Sequence, residues 1–317
     1  MTTGLFSAQS TAPASAPTRR RAQIFAHRGA SGAFAEHTRA AYLHALAEGA
    51  DGLEIDVHLT KDGQVVCFHD ETLDRTTDAR GLVAERTLAE LRRLDVCSWK
   101  TSAIPAEYGG LRSQLMTLGD TLELLLTAGR SVRLAIELKH PSPFGHQLED
   151  HVLRTLLSYG WDPETSRIGV KEGQAVEVSF MSFHPGSLMH LADLVPAEKL
   201  CALFAPVTSE DVGARAGRTP LGTAFRPLIS AVMRGAVKDA EALVWNRQVG
   251  IAGPGMSFVR AHRAEAKAWI ARGAHLRVWT VDEPEDAQLL LSLGVQELTT
   301  NFPGRMVNEV STQASFS

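Results

Sequence analysis

Residues 52–70 read GLEIDVHLTKDGQVVCFHD and decide the fold. Apolar residues alternate with polar ones around Glu54 and Asp56, which predicts a strand that carries both acids on one face. The Asp62-Gly63 pair predicts a two-residue turn, and counting outward from it places Asp56 opposite His69 on a returning strand. The stretch therefore predicts a β-hairpin that brings a histidine to two carboxylates. The alternative interpretation is a surface hairpin with one solvated, polar side.

The composition of the whole chain narrows the class of protein. Its 317 residues are 44% hydrophobic and 21% charged, as in a globular protein. A net charge of −4 leaves no basic surplus to neutralise a phosphate backbone, so we expect no nucleic-acid partner. Three cysteines without C-x-x-C spacing fit a reducing compartment. No apolar run reaches the roughly 18 residues of a membrane span. Arg19 to Arg21 precede a predicted strand and not an apolar signal core, so we expect a cytoplasmic protein.

Strand and helix patterns alternate along the chain, with about eight strands in one series. This order predicts an α/β fold: a single-domain TIM-type (β/α)8 barrel, with the hairpin after its second strand. Residues 1–21 are rich in Ser, Thr, Ala and Pro, and we expect them to form a flexible N-terminal tail. The barrel domain is then expected over residues 22–310, with a C-terminal tail at 311–317.

Capping signals predict several helix boundaries. Thr38, a Thr87–Glu90 capping box and Thr117 each predict a helix start. Residues 256–271 predict one continuous helix. Residues 206–247 mix Gly, Pro and Arg with short apolar pieces, so we expect a long irregular connection holding one helix near 226–235.

Polar residues concentrate where the predicted strands end. In a parallel barrel these ends converge on one face, where active sites of this fold are built. Charged groups at the ends of apolar strands are costly to bury without a shared counter-ion. The residues concerned are His27, Arg28, Glu54, Asp56, His69, Glu137, Lys139 and Trp279.

Glu54, Asp56 and Glu137 would place three carboxylates in one pocket. A divalent cation relieves their repulsion most simply, and an all-oxygen ligand set favours Mg²⁺ or Ca²⁺ over Zn²⁺. The alternative is a structural ion network in which Arg28 and Lys139 neutralise the acids.

Short motifs in a fixed order extend this pattern over residues 23–305. Together they resemble the glycerophosphodiester phosphodiesterase family. The motifs are HRG at 27–29, E-x-D at 54–56 followed by LTKDGQVV, HD at 69–70, IELK at 136–139, SF at 182–183, VWTVD at 278–282 and T-x-x-P at 300–303.

The resemblance implies a barrel enzyme that hydrolyses glycerophosphodiesters, as its small-molecule partners, to glycerol 3-phosphate and an alcohol with one divalent cation. Glu54, Asp56 and Glu137 match the family's metal ligands. His27 and His69 match its general acid and base, and one neutral and one protonated histidine predict a bell-shaped pH profile.

The resemblance also implies which residues contact the substrate. Arg28 and Lys139 match positions that face the phosphate, and we expect Trp279 to bind substrate as well. Two segments depart from the family pattern. Glu36 is kept where the family has P-E-N-T, but His37 stands for the asparagine and could replace it or add a third ionisable group. Residues 300–303 read TNFP where the family has T-D-x-P.

Two other functions stay open at this stage. A lysophospholipase D or C type phosphodiesterase would act on lysophospholipids, and an apolar loop beside the pocket would favour it. A barrel that binds phosphodiesters without turnover belongs to another class, and the presence of two candidate proton carriers, His27 and His69, disfavours it.

Overall fold

The computed structural model describes residues 21–100, 103–171, 173–216 and 220–314. The strands in this part of the chain are β1 (Gln23–His27), β2 (Gly52–Leu59), β3 (Val65–Cys67), β4 (Val132–Leu138), β5 (Trp161–Asp162), β6 (Arg167–Lys171), β7 (Gln174–Ser182), β8 (Leu200–Phe204), β9 (Ile251–Pro254), β10 (His275–Val278) and β11 (Glu297–Thr300). Eight of them, β1, β2, β4, β7, β8, β9, β10 and β11, pair in parallel in this order, and β11 pairs with β1. They close a (β/α)8 barrel, which confirms the predicted fold.

Helices connect the strands on the outside of the barrel. They are α1 (Arg39–Ala47), α2 (Leu88–Leu91), α3 (Leu118–Leu126), α4 (Gln147–Ser158), α5 (Pro185–Leu191), α6 (Ser209–Ala216), α7 (Pro220–Trp245), α8 (Met256–Ala261), α9 (Arg263–Ala271), α10 (Pro284–Leu293) and α11 (Pro303–Ala314). Short 3₁₀ turns occur at Val83–Glu85, Ala106–Tyr108, Leu111–Ser113 and Ala197–Lys199. None of the helices in the described ranges is long and apolar enough to cross a membrane.

The predicted helix starts are confirmed by their caps. The hydroxyl of Thr38 accepts a hydrogen bond from the Ala41 amide at the start of α1. Thr87 and Glu90 form the predicted capping box of α2. A second capping box opens α3, where Thr117 is the N-cap. Each cap satisfies amides that the first helical turn leaves without partners.

The hairpin between β2 and β3 is present, but the predicted register is wrong by one residue. Val57 pairs with Cys67, and the Phe68 amide donates to the carbonyl oxygen of Asp56 at 3.0 Å. Asp56 therefore lies opposite Phe68 and not opposite His69. The cause is a three-residue loop, since the Thr60 amide donates to the Gln64 carbonyl oxygen at 3.0 Å.

The segment between β8 and β9 also differs from its prediction. The expected irregular connection is wrong, because α6 and the 26-residue helix α7 fill most of residues 206–247. Pro227 lies inside α7. Buried Leu243 and Val244 pack the end of this helix on the core, and such packing overrides weak local propensity. The single helix expected over 256–271 is two helices, divided at His262 with φ −124°.

The core has two principal layers. The larger one lies between the strands and the helices and includes Leu53 and Ile136. The other fills the barrel with Phe25, Met181 and Leu203. Side chains inside a barrel of this size form a packed core and leave no pore.

The three cysteines, Cys67, Cys97 and Cys201, are free and buried. Burial raises the pKa of each thiol to about 12. Residues 1–20 of the expected N-terminal tail and residues 315–317 of the C-terminal tail lie outside the described residues. Arg21, the last residue of the expected N-terminal tail, pairs with Asp51 at 2.7 Å.

Candidate active site

Three acids meet at the carboxyl ends of β2 and β4. Asp56 pairs with Glu137 across the two parallel strands, and Glu54 precedes Asp56 on the same face. Glu54, Asp56 and Glu137 are buried residues, 2%, 1% and 7% exposed in that order. Each offers one carboxylate oxygen, and these oxygens lie within 4.8 Å of one another. The sequence thus identified a true cluster of buried carboxylates.

Two cations neutralise part of this charge. The Lys139 ammonium lies 2.9 Å from Asp56 Oδ1 and 2.7 Å from Glu137 Oε1. The Arg28 guanidinium lies 3.0 Å from Asp56 Oδ2, and the Arg28 amide donates to Glu54 Oε2 at 3.0 Å. Ion pairs between these acids and both cations, which the structural alternative requires, are therefore present.

The directions of the pKa shifts indicate that these cations balance Asp56 but not Glu54 and Glu137. Burial, Asp56 and Glu137 together raise the pKa of Glu54 well above its usual value. Burial and the neighbouring Asp56 also raise the pKa of Glu137, to about 7, against the opposing effect of Lys139. Burial alone would raise the pKa of Asp56, but Lys139 and Arg28 hold it well below its usual value.

The donor set fits a hard divalent cation. All three candidate ligands are carboxylates, and oxygen ligands are what Mg²⁺ and Ca²⁺ take in proteins. Asp56 Oδ1 is buried and accepts no hydrogen bond of good geometry from the described residues, although Lys139 lies close to it. Lys139 therefore neutralises this oxygen in part, and a divalent cation would neutralise the remaining charge of the three acids.

His27 ends β1 beside Glu54, its pairing partner on β2. Its Nδ1 lies 2.8 Å from Asn301 Oδ1, and the Asn301 amide nitrogen donates to Asp282 Oδ2 at 2.7 Å. This contact fixes the amide so that its oxygen faces His27, and Nδ1 carries the proton. Burial and the neighbouring Arg28 lower the pKa of His27 to about 4.

Two residues of the altered 35–38 segment, Glu36 and His37, contact residues of the site. His37 Nε2 lies 2.9 Å from Asp56 Oδ2, and its Nδ1 lies 2.9 Å from the Tyr42 hydroxyl. The ring of His37 is buried, and its backbone has φ 57°. Glu36 pairs with Arg28 at 3.1 Å. His37 thus contacts a predicted metal ligand directly.

His69 lies in the loop after β3, and its side chain is one-third exposed. Its Nδ1 lies 2.6 Å from Asp70 Oδ1. Arg75 binds Asp70 at 2.7 Å and Glu36 at 2.7 Å, so one guanidinium joins the His69 loop to the loop after β1. The sequence pattern indicated no role for Arg75, which stands outside the strand ends. It also gave no sign of the contact between Asn301 and His27, which are 274 positions apart.

Trp279 follows β10 and faces another part of this end of the barrel. Its indole N–H donates to the Gly253 carbonyl oxygen at 2.8 Å. Its ring packs edge-to-face on Phe183, with centroids 5.4 Å apart. Phe183 is 41% exposed, so the two rings offer an aromatic surface to solvent. The described contacts of Trp279 do not include the three carboxylates.

Comparison with known proteins identifies the family. A profile of the Glycerophosphoryl diester phosphodiesterase family matches residues 27–305. A probable glycerophosphodiester phosphodiesterase 1 of Mycobacterium tuberculosis is 34% identical over 282 residues, which cover 89% of this chain and 90% of that protein. A glycerophosphodiester phosphodiesterase of Bacillus altitudinis is 31% identical over 287 residues, covering 90% and 96% of the two chains.

Solved structures agree on the fold. A phosphodiesterase of Oleispira antarctica, in complex with its product sn-glycerol-3-phosphate, superposes with a TM-score of 0.68 at 23% identity, over 92% of this chain and 97% of that one. The enzyme class expected from the sequence, a phosphoric diester hydrolase, is confirmed by the family match and the curated relatives. The chain belongs to the glycerophosphoryl diester phosphodiesterase family.

Proposed function

We propose that this protein hydrolyses glycerophosphodiesters to glycerol 3-phosphate and an alcohol, with one divalent cation held by Glu54, Asp56 and Glu137. The observation that carries the proposal is the cluster of three buried carboxylates at the mouth of the barrel, with oxygens within 4.8 Å of one another. The repulsion between these three buried carboxylates favours a bound cation. The all-oxygen set favours Mg²⁺ or Ca²⁺.

The bound cation would neutralise charge on a non-bridging phosphate oxygen. Arg28 and Lys139 lie beside the same carboxylates. These two cations would neutralise the phosphate charge that the metal ion leaves. The product glycerol 3-phosphate, which the Oleispira antarctica protein holds, is a phosphate monoester with more negative charge than the diester, so the same two cations would also suit the product. Substrate and product would thus be held by the same pair of cations.

His27 and His69 would carry the protons. Each imidazole has Nδ1 engaged, with Asn301 in one case and Asp70 in the other. The contact at Nδ1 would fix the orientation of each ring. Nε2 would then be free to exchange a proton with water or with the leaving oxygen, as in other histidine-based hydrolases. Two proton carriers of this kind are expected to give a rate that falls at both low and high pH.

A direct assay tests the proposal. Purified protein, stripped with a chelator, is mixed with glycerophosphocholine or glycerophosphoethanolamine and with Mg²⁺ or Ca²⁺, and glycerol 3-phosphate is measured. We expect activity that needs the cation and that falls about 100-fold or more in His69→Ala. The matched control is His262→Ala, since His262 is an exposed histidine of the α8–α9 junction. Equal rates in both variants, or no product with either cation, would refute the proposal.

A second substrate class is favoured by one observation, the exposed Phe183 ring and the partly buried Trp279 ring that packs on it near the mouth of the barrel. This surface suits an acyl chain or a cationic head group. A lysophospholipid would present both. Turnover of glycerophosphocholine and lysophosphatidylcholine, compared in the parent and in Trp279→Ala, separates the two. If KM in Trp279→Ala rises mainly for lysophosphatidylcholine, the rings contact the acyl chain. If KM rises equally for both substrates, the rings contact the choline group.

A further inference from the structure

A second group of potential metal ligands lies beside the candidate active site. It contains His140 and His146 from the connection between β4 and α4, Glu149 from α4, and His184 and His190 at the start and end of α5. His140 directly follows Lys139, so this histidine cluster is at the same end of the barrel. None of its members has a role in the proposed hydrolysis.

The cluster has the geometry of a three-ligand site. His140 Nε2 lies 2.7 Å from Glu149 Oε1, and His146 Nδ1 lies 3.6 Å from the same oxygen. One ligand atom from each of these three residues lies within 4.8 Å of the others. In a tetrahedral zinc site with bonds of about 2.0–2.1 Å, ligand atoms are about 3.4 Å apart. The 3.6 Å separation fits as it stands, and the 2.7 Å contact is a hydrogen bond that a metal would replace.

The second observation concerns Glu149 itself. The residue is fully buried. Oε1 accepts hydrogen bonds from Ser187 and is in contact with His140, whereas Oε2 has no hydrogen-bond partner among the described residues. A purely structural role, in which Glu149 ties α4 to α5 through Ser187, accounts for Oε1. It leaves a buried carboxylate oxygen unsatisfied, which is unfavourable unless a ligand contacts that oxygen.

The stacked imidazoles support the same interpretation. The rings of His140 and His184 stack with centroids 5.0 Å apart, and those of His146 and His190 stack at 4.5 Å. The two outer rings hold the two inner rings in place without using their candidate ligand atoms. His190 in turn is held by Asp150, 3.0 Å away. Ligands that are oriented by such outer contacts bind metal more tightly.

We propose that His140, His146 and Glu149 form a second metal site, distinct from the three carboxylates and suited to a borderline transition-metal ion of the Zn²⁺ class. Two imidazole nitrogens and one carboxylate are a ligand set that Zn²⁺ takes and that Mg²⁺ and Ca²⁺ avoid. The fourth position would be open to water. The site does not depend on the proposed function, because it shares no ligand with the carboxylate cluster.

Co²⁺ is the probe, since a tetrahedral site with nitrogen ligands gives it a strong visible absorption. The full chain carrying Glu54→Gln, which weakens the carboxylate cluster, is stripped with a chelator and titrated with CoCl₂. We expect one equivalent of coloured Co²⁺ that Zn²⁺ displaces and Mg²⁺ does not. Adding His146→Ala is expected to weaken binding about tenfold or more. His146 is 46% exposed, so its loss leaves the fold intact.

His262→Ala in the same background is the matched control. His262 lies 3.7 Å from Glu265 at spacing i, i+3 and is 49% exposed, like the His146–Glu149 pair, but the two belong to no three-ligand group among the described residues. This variant is expected to bind Co²⁺ as the parent does. Glu149→Gln, which keeps the shape of the side chain, gives a second disruption of the site. Unchanged Co²⁺ affinity in both site variants, equal loss in the control, or no coloured complex in the Glu54→Gln background would overturn the proposal.

Discussion

At the scale of single residues, Asn301 connects the end of the last strand to a candidate proton carrier. Its amide oxygen faces His27 Nδ1 at 2.8 Å and its nitrogen donates to Asp282 at 2.7 Å. The sequence identified Asn301 only as a departure from the family pattern. Its contact with His27 joins residues 274 positions apart, and no local spacing encodes such a contact.

We predict that Asn301→Ala lowers kcat about 10-fold to 100-fold, because the His27 ring loses the contact that orients it. The metal affinity is expected to stay unchanged, since Asn301 contacts none of the three carboxylates in the described structure. Asn301→Asp keeps an oxygen acceptor at Nδ1 and should retain most of the kcat. Steady-state kinetics and a cation titration check both variants, and a change in KM alone would contradict a positioning role.

Glu297 gives a prediction about pH and stability. This buried acid opens β11 and contacts Arg277 at 2.7 Å and His275 at 3.1 Å. Burial alone would raise its pKa, but Arg277 and His275 lower it from 4.5 to about 2. A depressed pKa means that the carboxylate stabilises the fold above pH 4.5. That contribution, about 3 kcal/mol, is lost as the pH falls toward 2.

Glu297→Gln should therefore lower the free energy of unfolding at pH 7 by about 3–5 kcal/mol, since Arg277 stays buried without its partner. Between pH 5 and pH 3 the variant should lose less stability than the parent does. Urea unfolding at several pH values measures both effects. The exposed acid Glu164, changed to Gln, is the control, and parallel pH curves for the parent and Glu297→Gln would disprove the assignment.

At the scale of elements, the β2–β3 hairpin shows what sequence pattern can and cannot predict. Alternation identified the strand and the shared face of its acids, because side-chain direction repeats every two residues. The register was wrong since the Thr60 hydroxyl accepts a hydrogen bond from the Gln64 amide at 2.9 Å and closes a longer loop. A slip of one residue exchanges the two faces of a strand, and His69 lies in the loop beyond β3 instead of on the strand opposite Asp56.

We predict that Gly63→Ala destabilises the protein by more than Gly129→Ala does. Both glycines have nearly the same left-handed backbone, φ 72° and 71°. A methyl group would meet the His151 ring at 2.9 Å at position 63 and nothing within 4 Å at position 129. Each substitution should cost about 1–2 kcal/mol for the backbone, and only Gly63→Ala should add the cost of displacing His151.

Urea unfolding of the two variants and of the Gly63→Ala/His151→Ala double variant measures these terms. The excess cost at position 63 should disappear when His151 is removed. An equal cost at both glycines would show that the contact with α4 does not constrain the hairpin.

At the scale of the whole molecule, the barrel collects residues that the sequence keeps far apart. The eight strands and the polar residues at their ends were predictable from element order and motifs, because parallel strands must present those ends on one face. Helix α7 was not predictable in this way, because burial of Leu243 and Val244 against the core holds its end in place. The link that Arg75 makes between two loops depends on tertiary structure in the same way.

We predict that Ca²⁺ or Mg²⁺ stabilises the folded protein by mass action. At a concentration about 100 times Kd the gain is about 2.7 kcal/mol, which raises the unfolding midpoint by roughly 5 °C. Glu54→Gln keeps the size of the side chain but removes a ligand charge, so its midpoint should respond far less to either cation. Calorimetry with and without a chelator measures the shift, and an equal shift in Glu54→Gln would remove Glu54 from the proposed ligand set.

The three buried cysteines make the native protein nearly inert to thiol reagents. A thiolate is the reactive form, and burial raises the pKa of each thiol to about 12. Cys67 lies in the hairpin, Cys97 in the loop before α3 and Cys201 in the barrel wall. The rate at which each thiol is labelled therefore reports how often that region unfolds locally. The chain thus offers three labelling sites for measuring local unfolding without any substitution.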